Sequence, residues 1–560
     1  KVALRDANGG RAEEGKFLYG EGMEGHAATA PFFFFDNNGV YMAQANYHPI
    51  GGKPNTENPD GNIEFTGDAV VVLENIKSKD APTYPNYMIT LVNCNGEFSD
   101  EMLKGKTMQW FSERISTWGE GDAAKGRFRM SSTSYFNGDA GWTDHNDAYY
   151  YATALSSDNF ARTPELALAK TKPVKVFVER LAARVSLKCD SSVFEVKATV
   201  AGMENGVVGV PEAATKLFVR IDGWGLNGTC PKSYISKQLT GWNADKTFET
   251  KWEFNAPGNR RSYWGQSTLY DTKYDEATFA TNLNFFPASK LMNDVTTVLY
   301  CNENTNSKEA LKLENGLPNQ RLLTSATITA TVGTKDAAGN FVPVDLVEHN
   351  GVYFKKDAFV AYVLGILDNN KKLRYYTLTQ ATETTEEGVL TDKDGNAYKQ
   401  VDASMFDIKG DNDSVYVVKG EKFPTVQLYT YTINANDERE WTETDAKDLA
   451  KDLKNATKDV KTIGFKGGMM TYNIPIAHEN TKTYDETTKD LTEWYEASFG
   501  VVRNHAYQIK VNSIKRLGNG VFDPDKDPII PDEDPKDPNW YMGAEINILS
   551  WKIVNNSVDL

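Results

Sequence analysis

The chain has 560 residues, of which 40% are hydrophobic and 12% aromatic, and its formal net charge is −16 at pH 7. Because domains usually hold ~100–200 residues, a chain of this length is expected to form two or more domains. The negative charge disfavours nucleic acid and anionic lipid surfaces as partners, and no run of ~20 apolar residues is present to span a membrane. No signal peptide opens the chain, which fits a cytoplasmic protein as well as an exported one that has been trimmed.

The N-terminal part of the chain predicts short strands and short helices. Residues 28–35 contain four consecutive phenylalanines, so the segment is apolar on both faces, and it ends in the hairpin-type turn at residues 36–39. This pattern predicts a central strand of a sandwich. Further strands are predicted at residues 69–73 and 87–92, and the apolar positions of residues 99–116 fit one or two short helices.

The four cysteines, Cys94, Cys189, Cys230 and Cys301, lie far apart and lack the paired spacing of a zinc site. Four cysteines allow three full pairings, and their spacing does not rank them. Buried free thiols and one or two disulfides of an exported protein therefore stay open as alternatives.

A second region of alternating apolar residues follows residues 171–173, where we expect the seam between two domains. Val174, Val176 and Val178 share one face, and the alternation resumes after a one-residue slip over residues 181–187. The later predicted strands lie at residues 194–200, 215–221, 295–300, 326–332 and 415–418. Strands at such spacing, separated by turn residues, favour antiparallel sandwiches over a βαβ sheet.

An insertion in the second domain is expected at about residues 377–466. It contains one amphipathic helix pattern, at residues 445–460, with apolar residues on one stripe and lysines elsewhere. After the insertion, residues 467–478 and 500–511 predict two strands that flank a polar loop.

The chain ends in a strand pattern that follows a charged, proline-rich segment. Residues 522–540 contain five prolines among many acidic residues, which predicts an extended and solvated linker. Residues 541–560 alternate with a period of two and switch face once, which predicts a bulge or corner between two strand segments. The apolar positions are Ala544, Ile546, Ile548, Leu549, Trp551 and Ile553. Such a strand either closes a sheet of its own chain or adds to a sheet of another molecule.

No motif for catalysis or cofactor binding is present, since HExxH, GxSxG, GxxxxGK and CxxC are all absent. The acidic runs at residues 144–147 and 523–527 contain metal-ligand residue types, but a solvated turn and a charged linker are the preferred interpretations. His478 and His505 are interpreted as structural histidines. We therefore expect no enzymatic activity, no cofactor and no metal.

Five segments in the same order along the chain resemble the type V (Bacteroidia-type) pilins, the fimbrillins, and among them shaft subunits. The segments are FFFFDNNG at 32–39, VERLAARV at 178–185, GGMMTYNIPIAH at 467–478, GVVRNHAYQIKV at 500–511 and NILSWKIV at 547–554. Each is weakly specific alone, whereas the ordered set is specific and spans nearly the whole chain. The sequence departs from the family at Thr471-Tyr472, where two aromatic residues are expected, and in its long insertion.

The resemblance implies a mainly β fold of two tandem antiparallel β-sandwich domains of transthyretin-like or Greek-key type, with a few short helices and a C-terminal donor-strand tail. On this basis we expect domains at residues 1–172 and 173–521, the linker at 522–540 and donor strands at 541–560.

The function implied by the resemblance is that of a structural subunit of a bacterial surface fimbrium, exported as a lipoprotein precursor and supporting adhesion and biofilm formation. In the family an Arg-specific protease removes an N-terminal strand, and the tail of the next subunit fills the groove. The matching cleavage position is Arg11, with Arg5 second, so residues 1–11 would be a removable remnant. A processing site before Lys1 would instead make Arg11 an ordinary loop residue. The implied partners are further copies of the chain, tip and anchor subunits, the protease, and host or bacterial surface receptors.

The alternative function is that of a binding module, either a tip or accessory fimbrial adhesin or a cell-surface glycan-binding lipoprotein. Such a module would stack sugars on exposed aromatic residues such as Trp224, Trp242 and Trp264, although tryptophans of a sandwich lie more often in its core. In the family a tip subunit has no following groove to fill, so the tail favours a shaft subunit.

Overall fold

A computed structural model describes residues 17–18, 24, 29–47, 53–54, 65–66, 68–70, 73, 83–94, 97–116, 128–133, 151–169, 174–202, 215–239, 264–314, 316–369, 375–379, 389–478, 498–532, 542–551 and 554–559. The fold is mainly β, with several antiparallel sheets and a few short helices, which confirms the predicted fold class. Within these ranges, no helix is both long enough and apolar enough to cross a bilayer.

The strands of the first half of the chain are β1 (Phe17–Leu18), β2 (Ala30–Phe35), β3 (Tyr41–Tyr47), β4 (Lys53–Pro54), β5 (Phe65–Thr66), β6 (Asp68–Val70), β7 (Tyr87–Val92), β8 (Ile115–Ser116), β9 (Met130–Ser132), β10 (Thr153–Ala154), β11 (Val174–Arg180), β12 (Ala182–Cys189), β13 (Val193–Ala198), β14 (Val200–Ala201), β15 (Thr215–Asn227) and β16 (Ser233–Tyr234).

The strands of the second half are β17 (Leu299–Asn302), β18 (Ser325–Lys335), β19 (Phe341–Pro343), β20 (Leu346–His349), β21 (Val352–Lys355), β22 (Tyr376–Thr379), β23 (Val389–Thr391), β24 (Ala397–Gln400), β25 (Phe406–Gly410), β26 (Val415–Lys419), β27 (Leu428–Ile433), β28 (Arg439–Thr444), β29 (Thr462–Phe465), β30 (Met469–Pro475), β31 (His505–Ile514), β32 (Asn519–Gly520), β33 (Met542–Trp551) and β34 (Val554–Asp559).

The α-helices are α1 (Asp100–Leu103), α2 (Met108–Ser112), α3 (Pro164–Leu168), α4 (Phe279–Asn282), α5 (Lys308–Leu311), α6 (Lys356–Asn369) and α7 (Leu449–Asn455). Short 3-10 turns lie at Ser157–Asn159, Ala288–Lys290, Gln320–Leu322, Ala403–Met405 and Lys466–Gly468.

The N-terminal sheet has the strand order β3-β2-β7-β9-β11-β34-β6, and β10 pairs with β7. Strand β2 lies between two neighbours and is buried along its whole length. Phe33 and Phe35 face one core, whereas Phe32 and Phe34 face a second core on the other side of the sheet. Burial on both faces explains the run of four phenylalanines, and the predicted central strand is confirmed.

The chain passes from one sheet to another at Leu181. Strand β11, before this residue, pairs with β9 and β34, whereas β12, after it, belongs to a sheet of order β1-β33-β31-β12-β17. The slip in the alternation over residues 174–187 marks this change of sheet. Because β11 still pairs in the N-terminal sheet, the chain changes sheet beyond the seam expected at residues 171–173.

Two sheets enclose the largest core. They are β1-β33-β31-β12-β17 and β13-β15-β18-β30-β32, and all their pairings are antiparallel except those of β12 with β31 and of β1 with β33. Both sheets contribute alternating apolar side chains to one cluster, including Val185, Leu187, Leu217, Val219, Ile328, Tyr507 and Ile509. This is the face-to-face packing of a sandwich.

The insertion shares one core with α6, the helix that precedes it, and this core also contains apolar residues of α7 and of the insertion's strands. The helix predicted at residues 445–460 is present but shorter, as α7, and the longest helix, α6, was not predicted from the sequence. Strand β27 of the insertion pairs with β22 and β28. A short apolar run such as that of α6 does not distinguish a buried helix from a buried strand by its periodicity.

Candidate functional site

The C-terminal strands β33 and β34 pair with two different sheets of their own chain. Strand β33 runs antiparallel to β31 from the pair His505–Ser550 to the pair Ile514–Met542, and parallel to β1 on its other side. Strand β34 runs antiparallel to β11 and parallel to β6. Strand β33 therefore has β31 along its length and β1 beside its last two residues, whereas β34 lies between β11 and, at residues 557–559, β6.

The predicted apolar positions of β33 stand opposite buried positions of β31. The pairs are Ala544 with Val511, Ile546 with Ile509, Ile548 with Tyr507 and Leu549 with Ala506, while Trp551 pairs with Leu18 of β1. All four β31 partners are buried. Ile553 lies outside the described residues, as do the predicted cleavage positions Arg5 and Arg11.

The predicted change of face between Ile548 and Leu549 is not a bulge, because the pairing with β31 continues without a break at this point. The irregularity of the ladder falls instead between Val511 and Ser513. The opposing residues Ala506 and Tyr507 are both buried, so β31 is covered on both faces here. Two strand segments are present, as predicted, and they are separated after Trp551.

The linker prediction is wrong in part for residues 522–532: residues 525–528, 530 and 532 are exposed, as predicted, but the segment is attached to the protein between them. Ile529 is buried among the side chains of a small core, and its N–H donates to the Phe286 carbonyl at 2.9 Å. Farther along, the Pro531 carbonyl accepts a hydrogen bond from Arg321 Nε at 3.2 Å. Prolines exclude ladder hydrogen bonds, but they leave the carbonyl groups of the segment free to accept bonds from other parts of the chain.

Arg503, which precedes β31, forms a buried ion pair. Its Nη2 lies 3.2 Å from Glu303 Oε2, and the two side chains are 0% and 1% exposed. The guanidinium also donates to Ser233 Oγ and to the carbonyls of Tyr234 and Ile235 at 2.7–3.1 Å. A buried charge pair is tolerated when further hydrogen bonds satisfy it, as here. The pair ties the start of β31 to β16 and to the segment after β17.

Two further buried ion pairs lie where the chain changes sheet. Arg184 Nε contacts Glu24 Oε1 at 3.2 Å, and Arg180 Nε donates to the Glu24 carbonyl at 2.8 Å. Lys237 Nζ lies 3.1 Å from Glu179 Oε2. These contacts attach β11 and β12 to neighbouring parts of the chain, so the charged groups have a structural role.

The two histidines of the late segments have structural contacts, as predicted. His478 Nδ1 is 2.8 Å from the Tyr507 hydroxyl, which also accepts the Val502 N–H at 2.9 Å. His505 Nδ1 lies 2.9 Å from the Arg503 carbonyl. Burial raises the pKa of Tyr507 well above its usual range, so this hydroxyl stays protonated.

All four cysteines are free thiols, which selects one of the two alternatives left open by the sequence. Burial raises the pKa of Cys94 to about 12 and that of Cys189 to about 11, and it also raises the pKa of Cys230. Thiols with such pKa values are poor nucleophiles at neutral pH. Among the described side chains, no group of three or more potential metal ligands is found.

The tryptophans considered as sugar platforms do not form an exposed surface. Trp224 and Trp264 are both 0% exposed and belong to the largest core, and Trp224 Nε1 donates to the Asp294 carbonyl at 3.2 Å. These two tryptophans therefore have the core positions that the sequence favours, and the sugar-stacking alternative is contradicted for both. Trp242 and the acidic run at residues 144–147 lie outside the described residues.

Residues 464–557 match the family model described as "Major fimbrial subunit protein type IV, Fimbrillin, C-terminal". The matched region contains β31, all of β33 and part of β34. The match covers 94 of the 560 residues, all of them in the C-terminal part of the chain. The resemblance of the chain to the fimbrillins, stated from its five segments, is confirmed by this match.

Solved structures similar to the chain come from Parabacteroides distasonis and Porphyromonas gingivalis. A putative cell adhesion protein from Parabacteroides distasonis is 12% identical, with a TM-score of 0.35, over 96% of this chain and 93% of that one. A fimbrilin from Porphyromonas gingivalis is 11% identical, with a TM-score of 0.31, over 94% and 92% of the two chains. The tip fimbrial protein Mfa3 of the same species, with a C-terminal truncation, is 10% identical, with a TM-score of 0.28, over 94% and 96%. No curated protein matches the chain.

Proposed function

We propose that the chain is a structural subunit of a bacterial surface fimbrium that polymerises when β33 and β34 of one copy pair with the acceptor strands of the next. The observation that carries the proposal is the position of β33 and β34, each between two strands contributed by distant parts of the chain. The family match over the same region supports it.

Strand exchange between copies would preserve the contacts of the single chain. The nine β33–β31 residue pairs can form within one chain or between two chains with the same register. Ladder hydrogen bonds contribute roughly 1 kcal/mol each, and burying a large apolar side chain contributes roughly 1.5–3 kcal/mol. Because these terms are nearly equal in the two arrangements, the local concentration of acceptor strands decides which one forms.

The trigger that we propose is removal of the N-terminal residues by an Arg-specific protease at Arg11 or, second, at Arg5. Both positions precede β1, which pairs with β33 at the registers Phe17–Ser550 and Leu18–Trp551. Cleavage would leave β1 in the subunit, and, as the resemblance to the fimbrillins implies, the loss of the residues before it would open a groove for the tail of a neighbouring subunit. In this proposal the subunit reaches the outer membrane surface as a lipoprotein precursor, assembles with tip and anchor subunits, and supports adhesion and biofilm formation.

The test compares the full chain with a version ending at Asn539, each treated with an Arg-specific protease and run unheated on an SDS gel. A ladder from the full chain that is absent for the truncated chain supports exchange. Monomers from both versions would show that the tail only closes its own chain.

A cross-linking test with paired variants makes the result specific for the register. One preparation carries Ala506→Cys and another carries Leu549→Cys, and the two are mixed during polymerisation. Because these positions are paired, a disulfide between the two preparations is expected in the polymer. The control replaces the second variant with Glu545→Cys, which pairs with Lys510 and should give no cross-link to residue 506.

A further inference from the structure

The first half of the acidic linker, residues 522–532, is attached to the protein at successive points. At its start, Asn412 Oδ1 accepts the N–H groups of Phe522 and Asp523 at 2.8 and 2.9 Å, and Asn412 Nδ2 donates to the Asp523 carbonyl at 2.9 Å. Next, the Ser289 N–H donates to the Pro524 carbonyl at 2.9 Å. Nearly all these bonds involve the linker backbone, so they hold its path whatever the charges of its side chains do.

Asn412 is presented by the insertion. It lies in the tight turn between β25 and β26, where Asp411 Oδ1 accepts two backbone N–H groups at 3.0 and 3.1 Å. The Phe522 ring packs against the core of the insertion, and Lys466 Nζ lies 5.4 Å from the centre of this ring. The insertion therefore holds the start of the linker.

A second attachment is at Ile529, which is buried with other apolar residues. Its N–H donates to the Phe286 carbonyl at 2.9 Å, and its carbonyl accepts a bond from Asn227 Nδ2 at 2.5 Å. Asn227 is buried, and its Oδ1 also accepts the Phe286 N–H at 3.0 Å. The small core around Ile529 contains Ala288, Leu291 and Val521.

A third attachment is at Pro531, whose carbonyl accepts a bond from Arg321 Nε at 3.2 Å. The guanidinium is itself held by an ion pair with Glu276 at 2.8 Å and lies over the rings of Tyr274 and Phe279. Charge-assisted hydrogen bonds are stronger than neutral ones. Arg321 therefore fixes the last described part of the linker.

These attachments shorten the tether of the C-terminal strands. An extended chain spans at most ~3.3–3.6 Å per residue, so the segment from Asp532 to Met542 reaches at most ~36 Å. If the whole linker from Val521 were free, its reach would be ~75 Å. The concentration of a tethered strand near its acceptor falls steeply with tether length once the tether exceeds the span that it must bridge.

We propose that residues 522–532 are a docked segment of the linker, which fixes the point from which β33 and β34 leave the subunit. The docked segment thereby sets the spacing of successive subunits in the polymer. The inference rests on the proposed strand exchange. It also gives the insertion a function, because the insertion supplies Asn412 and the core that holds Phe522.

The test uses the full-length chain with the double substitution Asn412→Ala and Arg321→Ala. Hydrogen exchange of the monomer should be slow at the amides of Phe522, Asp523 and Ile529 in the wild type, and about tenfold or more faster at Phe522 and Asp523 in the variant. The single variant Asn412→Asp keeps both accepted bonds and should retain most of the protection.

The matched control is Asn434→Ala, because Asn434 Oδ1 caps an equivalent hairpin turn of the insertion by accepting two backbone N–H groups. Among the described residues, this turn has no hydrogen bond to the linker, so exchange at Phe522, Asp523 and Ile529 should stay slow.

The polymer provides the second measurement. In electron micrographs the double variant should still form polymers, but with a broader distribution of subunit repeat than the wild type. An unchanged repeat despite fast exchange overturns the proposal, as does fast exchange of the linker amides in the wild type. If the wild type gives no polymer while its linker amides stay protected, strand exchange itself is wrong and the docking is a stabilising contact only.

Discussion

Replacing Arg503 with methionine tests whether the buried ion pair at the start of β31 stabilises the acceptor strand. The substitution keeps an apolar side chain of similar length but removes the guanidinium, so the Glu303 carboxylate is left buried without its main partner. It also removes the donors to Ser233 Oγ and to two backbone carbonyls.

The expected loss is about 3–5 kcal/mol in the free energy of unfolding, which is the usual cost of breaking a buried pair at one end. At about 1.4 kcal/mol per factor of ten, this corresponds to a change of roughly 10² to 10⁴ in the unfolding equilibrium constant. The double variant Arg503→Met with Glu303→Leu should recover most of the loss, since removing both charges leaves no buried carboxylate.

The assay is urea unfolding followed by tryptophan fluorescence. Trp264 is a suitable reporter because it lies in the largest core, which also contains the apolar residues of β31, and its ring centre is 5.4 Å from that of His478. The control is Lys216→Met, which breaks a 2.8 Å pair with Glu195 whose side chains are 50% and 45% exposed. An exposed pair contributes about 1 kcal/mol or less. A loss for Arg503→Met no larger than that of the control would refute the reasoning.

Three further predictions concern single positions. Gly468→Ala should lower the free energy of unfolding by at least about 3 kcal/mol, because the added Cβ would lie 2.2 Å from the Val332 carbonyl oxygen. Gly467→Ala, at a similar positive φ, meets no atom within 4 Å and should lower it by only ~1–2 kcal/mol. Thermal unfolding measures both. Burial raises the pKa of Cys94 from 9.0 to about 12, so the stability contributed by its neutral thiol is complete below pH 9 and is lost as the pH rises toward 12. Cys94→Ala should therefore show a smaller decline in unfolding free energy over that interval. The Trp441 ring stacks on the Tyr398 ring, with the two ring centres 3.7 Å apart. Trp441→Ala should therefore speed hydrogen exchange in the insertion sheet. Exchange in β31 should stay unchanged, because the insertion sheet and β31 pack in separate cores.

The sequence by itself determined the mainly β fold and many of the strands. Strand β7 was predicted with its exact bounds, and β2 within two residues, because a period of two and the turn residues that end a strand are local properties. Four of the apolar positions predicted in β33 pair with buried residues of β31, although Met542 and Ser550, which were not predicted, do so as well. The order of the five segments also indicated the resemblance to the fimbrillins, which the match over residues 464–557 supports.

Only the tertiary structure decided which elements meet. The partners of Arg503 lie 200 residues or more away in sequence, and those of the linker lie 110 to 302 residues away, so no local pattern identifies them. The same holds for α6, whose apolar run fits a buried helix or a buried strand until its neighbours are known. The linker shows the physical reason most clearly. Its prolines and acidic residues indicate a solvated segment, but backbone carbonyls and one buried isoleucine are enough to hold it when the right donors and an apolar surface are placed beside it.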